Sequence, residues 1–256
     1  MQYTKVMVDN ISAAYQRAKS RLILLDYDGT LSPFKPLPHQ AKPSPALLRL
    51  LQQLTADPAN HVVIISGRDH ETLEGWLGHL PLDFASEHGL WLKENGGKWH
   101  LLHDQDRSWK TEVKTIMDEF AQMVPGAFAE EKTASYAWHY RPAKSQALEA
   151  KIEPRLIRRL QPIVRAHNLT LLQGNKVIDV KPAGVDKGAV AHHWLNKRNW
   201  DFILAAGDDT TDEDLFGAMP DQAFTIKIGR GRTAARTRLA SVRAFQDLLK
   251  SLTPKA

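Results

Sequence analysis

Three runs of apolar residues lead directly into clusters of polar residues, and this feature constrains the fold most strongly. The runs are RLILLDYDGT from residue 21, HVVIISGR from residue 61 and WDFILAAGDD from residue 200. Each is nearly continuous in aliphatic residues, and each is followed by a helical pattern. Strands of this kind are buried on both faces, as in parallel sheets covered by helices above and below. The sequence therefore predicts an α/β fold with a Rossmann-like, doubly wound parallel sheet as its core.

The polar clusters all follow the carboxyl ends of the predicted strands. Asp26 and Asp28 end the first run, Ser66 ends the second, and Asp208 and Asp212 follow the third. Ligands of open parallel sheets bind beyond the carboxyl ends of the strands, so we expect the five side chains to share one site. A calcium-binding loop is excluded for the first cluster, because the sixth and twelfth positions counted from Asp26 lack the required Gly and Glu.

The pattern changes between about residues 105 and 181. A helical stretch, two alternating strands, a long basic helix and a further pair of strands follow one another there. This α-β-β-α-β-β order predicts a small separate sheet inserted into the larger domain. We therefore expect residues 1–104 and 182–256 to form the core, and residues 105–181 to form an inserted, smaller α+β domain.

The paired acids suit the hydrolysis of a phosphate ester. Asp26 can attack phosphorus to form an aspartyl-phosphate, and Asp28 can protonate the leaving oxygen and then activate water. Carboxylates and a phosphate repel one another, so a hard cation is required, and Mg²⁺ prefers oxygen ligands of this kind. Asp208 and Asp212 would supply the remaining charge, one directly and the other through water. Lys187 can offer the phosphate a point charge.

The same residues also have ordinary structural interpretations. The acids at positions 208–214 can favour a helix N-terminus, and residues 66–67 can form a plain strand-to-helix turn. Lys187 alone carries little information, because surface lysines are common. Residues 87–89 (EHG) are interpreted as a structural turn rather than as metal ligands. It is the order of all the clusters along one chain that favours a catalytic site.

The composition excludes several classes of protein and of metal site. The chain has no cysteine, which excludes disulfides, iron–sulfur clusters and thiolate zinc sites. No apolar run reaches the ~18 residues of a membrane span, and the N-terminal residues lack the apolar segment of a signal peptide. The net charge of +5 raises nucleic acid as a partner, but the arginine-rich stretch near residues 230–243 lacks stacking aromatic residues. We therefore expect a cytoplasmic monomer with no nucleic-acid or membrane partner.

These motifs resemble those of the haloacid dehalogenase superfamily of phosphatases. DYDGTL from Asp26 is similar to its first motif, ISG to its second, DKG around Lys187 to its third and GDDTTDEDLF to its fourth. Finer matches narrow the resemblance to trehalose-6-phosphate phosphatases. They are SGR from Ser66, SEHGLWL, EEKTASYAWHYR from Glu130, and DVKPAGVDKG from Asp179. The similarity extends over essentially the whole chain.

The resemblance implies a role for each site residue. Asp26 would be the nucleophile, Asp28 the general acid and base, and Mg²⁺ would be held by Asp26, the backbone carbonyl of Asp28, and Asp208. Asp209 and Asp212 would support the metal site. Substrate or phosphate contacts are implied for Thr30, Ser66, Arg68, Lys187, Glu130, Lys132, His139 and Arg141. Glu130 and Lys132, in the inserted cap domain, are similar to residues that bind the glucose remote from the phosphate.

The resemblance further implies that a phosphorylated disaccharide, trehalose 6-phosphate, is the small-molecule partner and that trehalose is the product. Sucrose phosphate or mannosylglycerate phosphate is an alternative substrate, because only the cap distinguishes these reactions. A non-catalytic sensor of sugar phosphates is a further alternative, although a pure binding protein has no use for a paired nucleophile and acid. Glu131 departs from the family pattern, which has a neutral residue there, and strand alternation predicts that it points away from the sugar.

Overall fold

The computed structural model describes residues 2–94, 96–102, 106–133, 135–143, 146–174 and 176–253. The chain divides into two compact units. The core unit comprises Met1–Phe34, Ala41–Leu102 and Asp186–Ala256, and the inserted unit comprises Lys35–Gln40 and His103–Val185. The predicted boundary between residues 104 and 105 lies outside the described residues, and the predicted division into domains stays a prediction.

The core unit contains an eight-stranded sheet. Its strands are β1 (Arg21–Asp26), β2 (Asn60–Ile65), β3 (Asp83–Ser86), β4 (Trp91–Lys93), β5 (His100–Leu101), β10 (Phe202–Gly207), β11 (Phe224–Ile228) and β12 (Thr237–Leu239). The order across the sheet is β12-β11-β10-β1-β2-β3-β4-β5, and the first six strands are parallel. β4 and β5 continue it in antiparallel pairing. The predicted α/β fold with a large parallel sheet is confirmed.

Helices cover both faces of this sheet. They are α1 (Gln2–Arg17), α2 (Pro45–Thr55), α3 (His70–Leu77), α6 (Lys187–Leu195), α7 (Asp212–Gly217) and α8 (Val242–Leu252). Ile23 and Leu25 of β1 belong to the apolar cluster that contains residues of α1, α2, α3 and α8. Leu22 and Leu24 alternate onto the other face, with residues of α6 and α7. This two-sided burial explains the continuous apolar run of β1.

The inserted unit has a smaller, antiparallel sheet. Its elements are α4 (Lys110–Met123), β6 (Phe128–Glu131), β7 (Tyr136–His139), α5 (Gln146–Ala166), β8 (Leu169–Gly174) and β9 (Val177–Pro182), so the predicted α-β-β-α-β-β order is confirmed. The strand order is β6-β7-β9-β8. Tyr136 and Trp138 of β7 pack with apolar residues of α4 and α5, which leaves the opposite sheet face for polar side chains. In the described part of the chain, the helices lack the combination of length and apolar character that crossing a bilayer requires.

Candidate active site

The candidate site begins at the carboxyl end of the central strand β1. Asp26 is the last residue of β1, whose neighbours in the sheet are β2 and β10. Ser66 follows β2 directly, and Asp208 follows β10 directly. Because the three strands are parallel, these residues leave the sheet at the same edge, as the sequence predicts.

Lys187 links two of the predicted acids. Its Nζ lies 2.7 Å from Oδ1 of Asp26 and 2.6 Å from Oδ1 of Asp212. Lys187 is the first residue of α6, because the side chain of Asp186 accepts from the backbone N–H of Ala189 and caps this helix. Lys187, Asp26 and Asp212 are all buried, so the ammonium compensates two charges that have little access to water.

Negative charge nevertheless exceeds positive charge at this edge. Burial, opposed by Lys187 and reinforced by Asp212 and Asp28, raises the pKa of Asp26 to about 7. Burial together with the charges of Asp26 and Asp212 raises the pKa of Asp208 to about 9. Burial alone would lower the pKa of Lys187, but the carboxylates of Asp212 and Asp26 outweigh it and raise the pKa above its usual range. The raised pKa values of Asp26 and Asp208 indicate an excess of negative charge that a bound cation would relieve.

Asp212 shapes the loop that carries Asp208. Its Oδ2 accepts hydrogen bonds from the backbone N–H of Asp208 at 2.8 Å and of Asp209 at 2.9 Å, while its Oδ1 faces Lys187. Gly207 permits this approach, since a Cβ there would lie 2.1 Å from the Asp212 carboxyl carbon. Both oxygens of Asp212 thus accept hydrogen bonds, and its carboxylate holds the backbone of Asp208 and Asp209 in place.

Asp208 lies over the turn that follows β1. Gly29 has a φ of +86°, and a Cβ on it would lie 2.3 Å from the Asp208 carboxyl carbon, so only glycine leaves room. The hydroxyl of Thr30, which is fully buried, lies 3.4 Å from Oδ1 of Asp208. Asp209 is placed differently, because its Oδ1 accepts from the N–H of Thr210 at 2.7 Å.

The arrangement fits a hard divalent cation. One carboxylate oxygen from each of Asp26, Asp208 and Asp212 lies within 4.8 Å of the other two. Oδ2 of Asp26 is buried and has no hydrogen-bond partner among the described residues. A buried carboxylate oxygen without a donor is rare and costly, and a cation would satisfy it.

Asp28 is held by a guanidinium fork. Nε of Arg68 lies 2.7 Å from Oδ2 of Asp28, and an Nη lies 2.8 Å from Oδ1. The guanidinium also stacks over Trp76, at 4.5 Å from the ring centroid. Ser66 is buried, and its hydroxyl accepts from the N–H of Arg68 at 3.2 Å. Arg68, for which the resemblance implies a substrate contact, here orients the proposed acid.

The inserted unit gathers a second polar group on one sheet face. Glu130, Ala137 and Asp179 stand opposite one another on β6, β7 and β9. Nε2 of His139 lies 2.6 Å from Oε2 of Glu130, and Nζ of Lys132 lies 3.5 Å from Oδ2 of Asp179. The small side chain of Ala137 leaves space between the two acids.

Charge compensation keeps Glu130 ionised. Burial alone would raise its pKa, but the hydrogen bond with His139 and the charge of Lys132 outweigh burial and lower it. Arg141 follows the end of β7 and is half-buried. Glu131 is exposed and lies 3.4 Å from Nζ of Lys110, away from Glu130, as alternation predicts.

Asp179 is the member of this polar face to which the sequence assigns no role. It is a charged residue within the apolar strand sequence VIDV, and it is buried. A buried acid in such a strand needs a charged or hydrogen-bonding partner, so its presence in the sequence is a signal that could have identified Asp179. The partner, Lys132, lies 47 residues earlier, and the pairing depends on strand order.

Comparisons with known proteins show the family of this chain. The family model described as trehalose-phosphatase matches residues 24–244, which include every residue of the two polar groups. The chain belongs to the trehalose-phosphatase family. A bifunctional trehalose-6-phosphate synthase/phosphatase of Thermoproteus tenax is 44% identical over 250 residues, covering 98% of this chain and 34% of that protein.

This chain is also similar to solved structures, both of this family and of proteins that share its fold. The C-terminal domain of a C. albicans trehalose-6-phosphate phosphatase superposes with a TM-score of 0.90 at 29% identity, and 96% of each chain is covered. A haloacid dehalogenase-like hydrolase from B. subtilis, 15% identical with a TM-score of 0.60, covers 90% of this chain and 98% of its own and shows the shared fold alone. The chain spans about a quarter to a third of the length of the curated relatives it matches.

Proposed function

We propose that this chain hydrolyses trehalose 6-phosphate to trehalose and phosphate, with Mg²⁺, through an aspartyl-phosphate at Asp26. The observation that carries the proposal is Oδ2 of Asp26, a buried oxygen without a donor at the carboxyl end of the central strand. Membership of the trehalose-phosphatase family supports the substrate.

In the first step, Asp26 attacks phosphorus while Lys187 holds its other oxygen. The bond between phosphorus and Oδ2 forms as the bond to the sugar oxygen breaks. Lys187 fixes the direction of Oδ2 through its contact of 2.7 Å with Oδ1. Asp28 gives its proton to the departing sugar oxygen, which leaves as a hydroxyl.

In the second step, Asp28 takes a proton from water, and the water oxygen attacks phosphorus. The bond to Asp26 breaks, which releases phosphate and restores both acids. In this structure both oxygens of Asp28 accept from Arg68, so the fork opens before Asp28 can carry a proton. A phosphate ester offers the guanidinium other oxygens, which would give Arg68 both an orienting and a substrate-binding role.

Mg²⁺ would be held by the carboxylates of Asp26 and Asp208 and by the backbone carbonyl of Asp28. Asp212 would fix the Asp208 loop, and Asp209 would support it through its neighbours. When bound, the ion neutralises the acids and the phosphate so that they can approach one another. Thr30, Ser66 and Lys187 would contact the phosphate oxygens or the groups that hold them.

The inserted unit would supply specificity. Glu130, Lys132 and His139 form a compact group of charged hydrogen-bonding side chains, and Asp179 extends it. Such groups suit the hydroxyls of a glucose unit. We propose that they and Arg141 bind the glucose that carries no phosphate. A preference for sucrose phosphate or mannosylglycerate phosphate is the alternative, and it would depend on the same face.

A panel of sugar phosphates tests the proposal. We expect phosphate release from trehalose 6-phosphate to exceed release from sucrose phosphate and glucose 6-phosphate by roughly 100-fold in kcat/KM. Equal rates on all of them would contradict the substrate assignment. Tight binding of trehalose 6-phosphate without turnover would instead favour a sensor.

A further inference from the structure

We propose that the turn Glu87–Gly89 is a positioning element that sets the loop of Ser66 and Arg68 against the helix of Lys187. The inference rests on the proposed function, because it assigns to the turn the placement of groups that act on phosphate. The site described above does not otherwise use this turn.

The backbone of the turn is strained. Three consecutive residues have positive φ angles, +46° at Glu87, +60° at His88 and +109° at Gly89. Residues with a side chain rarely adopt this region, and two in succession need strong support from their surroundings. Strained backbone of this kind concentrates at functional sites. The turn therefore holds a shape that its own residues do not favour.

The backbone of the turn forms two hydrogen bonds with the loop after β2. The N–H of Glu87 donates to the carbonyl of Arg68 at 2.9 Å, and the N–H of His88 donates to the carbonyl of Ser66 at 3.0 Å. The imidazole of His88 lies against Gly67, where an added Cβ would be 2.6 Å from Nε2. Two hydrogen bonds thus hold the carbonyls of Ser66 and Arg68, the residues on either side of Gly67, and the ring lies against Gly67 itself.

Gly89, at the end of the turn, packs tightly against α6. A Cβ on Gly89 would lie 2.1 Å from Cγ2 of Val190, one turn along the helix from Lys187. Val190 is fully buried, so it has no free volume into which to move. The same three residues therefore contact the loop of Ser66 and the helix of Lys187.

The strained shape decides where two functional side chains point. Arg68 reaches Asp28 from a loop whose carbonyls the turn holds, and Lys187 reaches Asp26 from the helix that the turn abuts. A shift of the turn would move both relative to β1. Small displacements of this kind impair catalysis more than binding.

The contact between Gly67 and His88 offers a direct test. The variants are Gly67→Ala, His88→Gly and their combination, with Gly75→Ala as a control, because a Cβ on the exposed Gly75 meets nothing within 4 Å. One readout is the exchange rate of the amide hydrogens of residues 87 and 88. The other is kcat and KM for an aryl phosphate, whose small leaving group needs no sugar-binding face.

We expect Gly67→Ala to displace the imidazole, to speed exchange at both amides by about tenfold and to lower kcat by about tenfold, with KM changed less than about threefold. Adding His88→Gly removes the ring and should restore more than half of the lost kcat on a logarithmic scale. Gly75→Ala should match the wild type. If Gly67→Ala does not fold, His88→Asn replaces it, since Asn tolerates positive φ but is shorter than the ring. Faster exchange and a several-fold lower kcat are then expected.

Amide exchange and kcat at wild-type values in Gly67→Ala would overturn the inference. So would a double variant in which the effects of Gly67→Ala and His88→Gly on kcat simply add. The outcome is separable from that of the proposed function. Turnover of the aryl phosphate but not of trehalose 6-phosphate would refute the substrate alone, and the exchange measurement needs no activity.

Discussion

The aspartates of the candidate site differ in how many hydrogen bonds their carboxylate oxygens accept. Both oxygens of Asp212 accept hydrogen bonds, as do both oxygens of Asp28, whereas Oδ2 of Asp26 has no donor among the described residues. Oδ1 of Asp26 is oriented by Lys187. Of these three carboxylates, Asp26 is the one that has one oxygen fixed by Lys187 and the other oxygen without a donor.

Asp26→Asn should abolish turnover while the protein stays folded. An amide is a poor nucleophile and cannot form the acyl phosphate, but it is nearly isosteric with the carboxylate. We expect kcat to fall by at least about 10³-fold. The measurement is kcat with circular dichroism as the check on folding, and appreciable turnover by a folded, undeamidated variant would exclude covalent catalysis through this residue.

Asp212→Asn should destabilise the core unit as well as inactivate it. The amide has one acceptor where the carboxylate serves Lys187 and two backbone N–H groups, and it leaves the buried ammonium with one partner fewer. Breaking a buried ion pair costs about 3 kcal/mol in the free energy of unfolding. Asp221→Asn, at a fully exposed carboxylate, is the control and should change the free energy of unfolding by less than about 0.5 kcal/mol. Equal stability of the two variants in urea would contradict the assigned role.

Among the strands, β6 directs its two adjacent glutamates to opposite faces of the sheet by alternation. Glu130 faces His139 across the strand pair, and its neighbour Glu131 points to Lys110 on the other side. The two glutamates therefore form a matched pair for substitution, identical in charge and adjacent in sequence.

Glu130→Ala should lower kcat/KM for trehalose 6-phosphate roughly tenfold or more, because a desolvated acceptor for sugar hydroxyls is worth about 1–3 kcal/mol. Hydrolysis of an aryl phosphate, which does not reach this face, should change little. Glu131→Ala should leave both substrates unaffected. If Glu130→Ala impairs both substrates equally, the residue serves the fold or the core chemistry instead.

Elements with a continuous apolar pattern could be predicted from the sequence, and elements defined by distant partners could not. β1 and β10 are buried throughout and β2 is buried over its last four residues, so their apolar runs and the polar residues at their ends are visible locally. The fork of Arg68 on Asp28 joins residues 40 positions apart and depends on the neighbouring placement of two strands. Asp179 and the turn after β3 likewise gain their partners only when the strand order is known.

The free energy of unfolding of the protein should depend jointly on pH and Mg²⁺. The pKa of Asp26 rises from 3.8 to about 7 on folding, so between these values the folded state binds more protons than the unfolded state. Without a cation, the stability conferred by this proton is therefore lost as the pH rises through that window, and the pKa of about 9 at Asp208 extends the loss. A bound Mg²⁺ would replace the protons, so its stabilising effect should grow with pH.

We expect saturating Mg²⁺ to raise the Tm by about 5 °C near pH 8 and by much less near pH 5. Sodium chloride at equal ionic strength is the control, and it should raise the Tm by no comparable amount. An equal rise at both pH values, or with sodium chloride, would contradict a site that exchanges protons for Mg²⁺.

The proposed mechanism requires that Asp26 carries the phosphoryl group during hydrolysis of trehalose 6-phosphate. The most direct measurement is acid quenching during turnover with Mg²⁺, followed by peptide mass spectrometry. We predict one phosphoryl group on the peptide that contains Asp26, its absence after chelation of the metal, and its absence in Asp26→Asn. Turnover that proceeds with the phosphoryl group on another residue would contradict the claim, as would a phosphoryl group retained by Asp26→Asn.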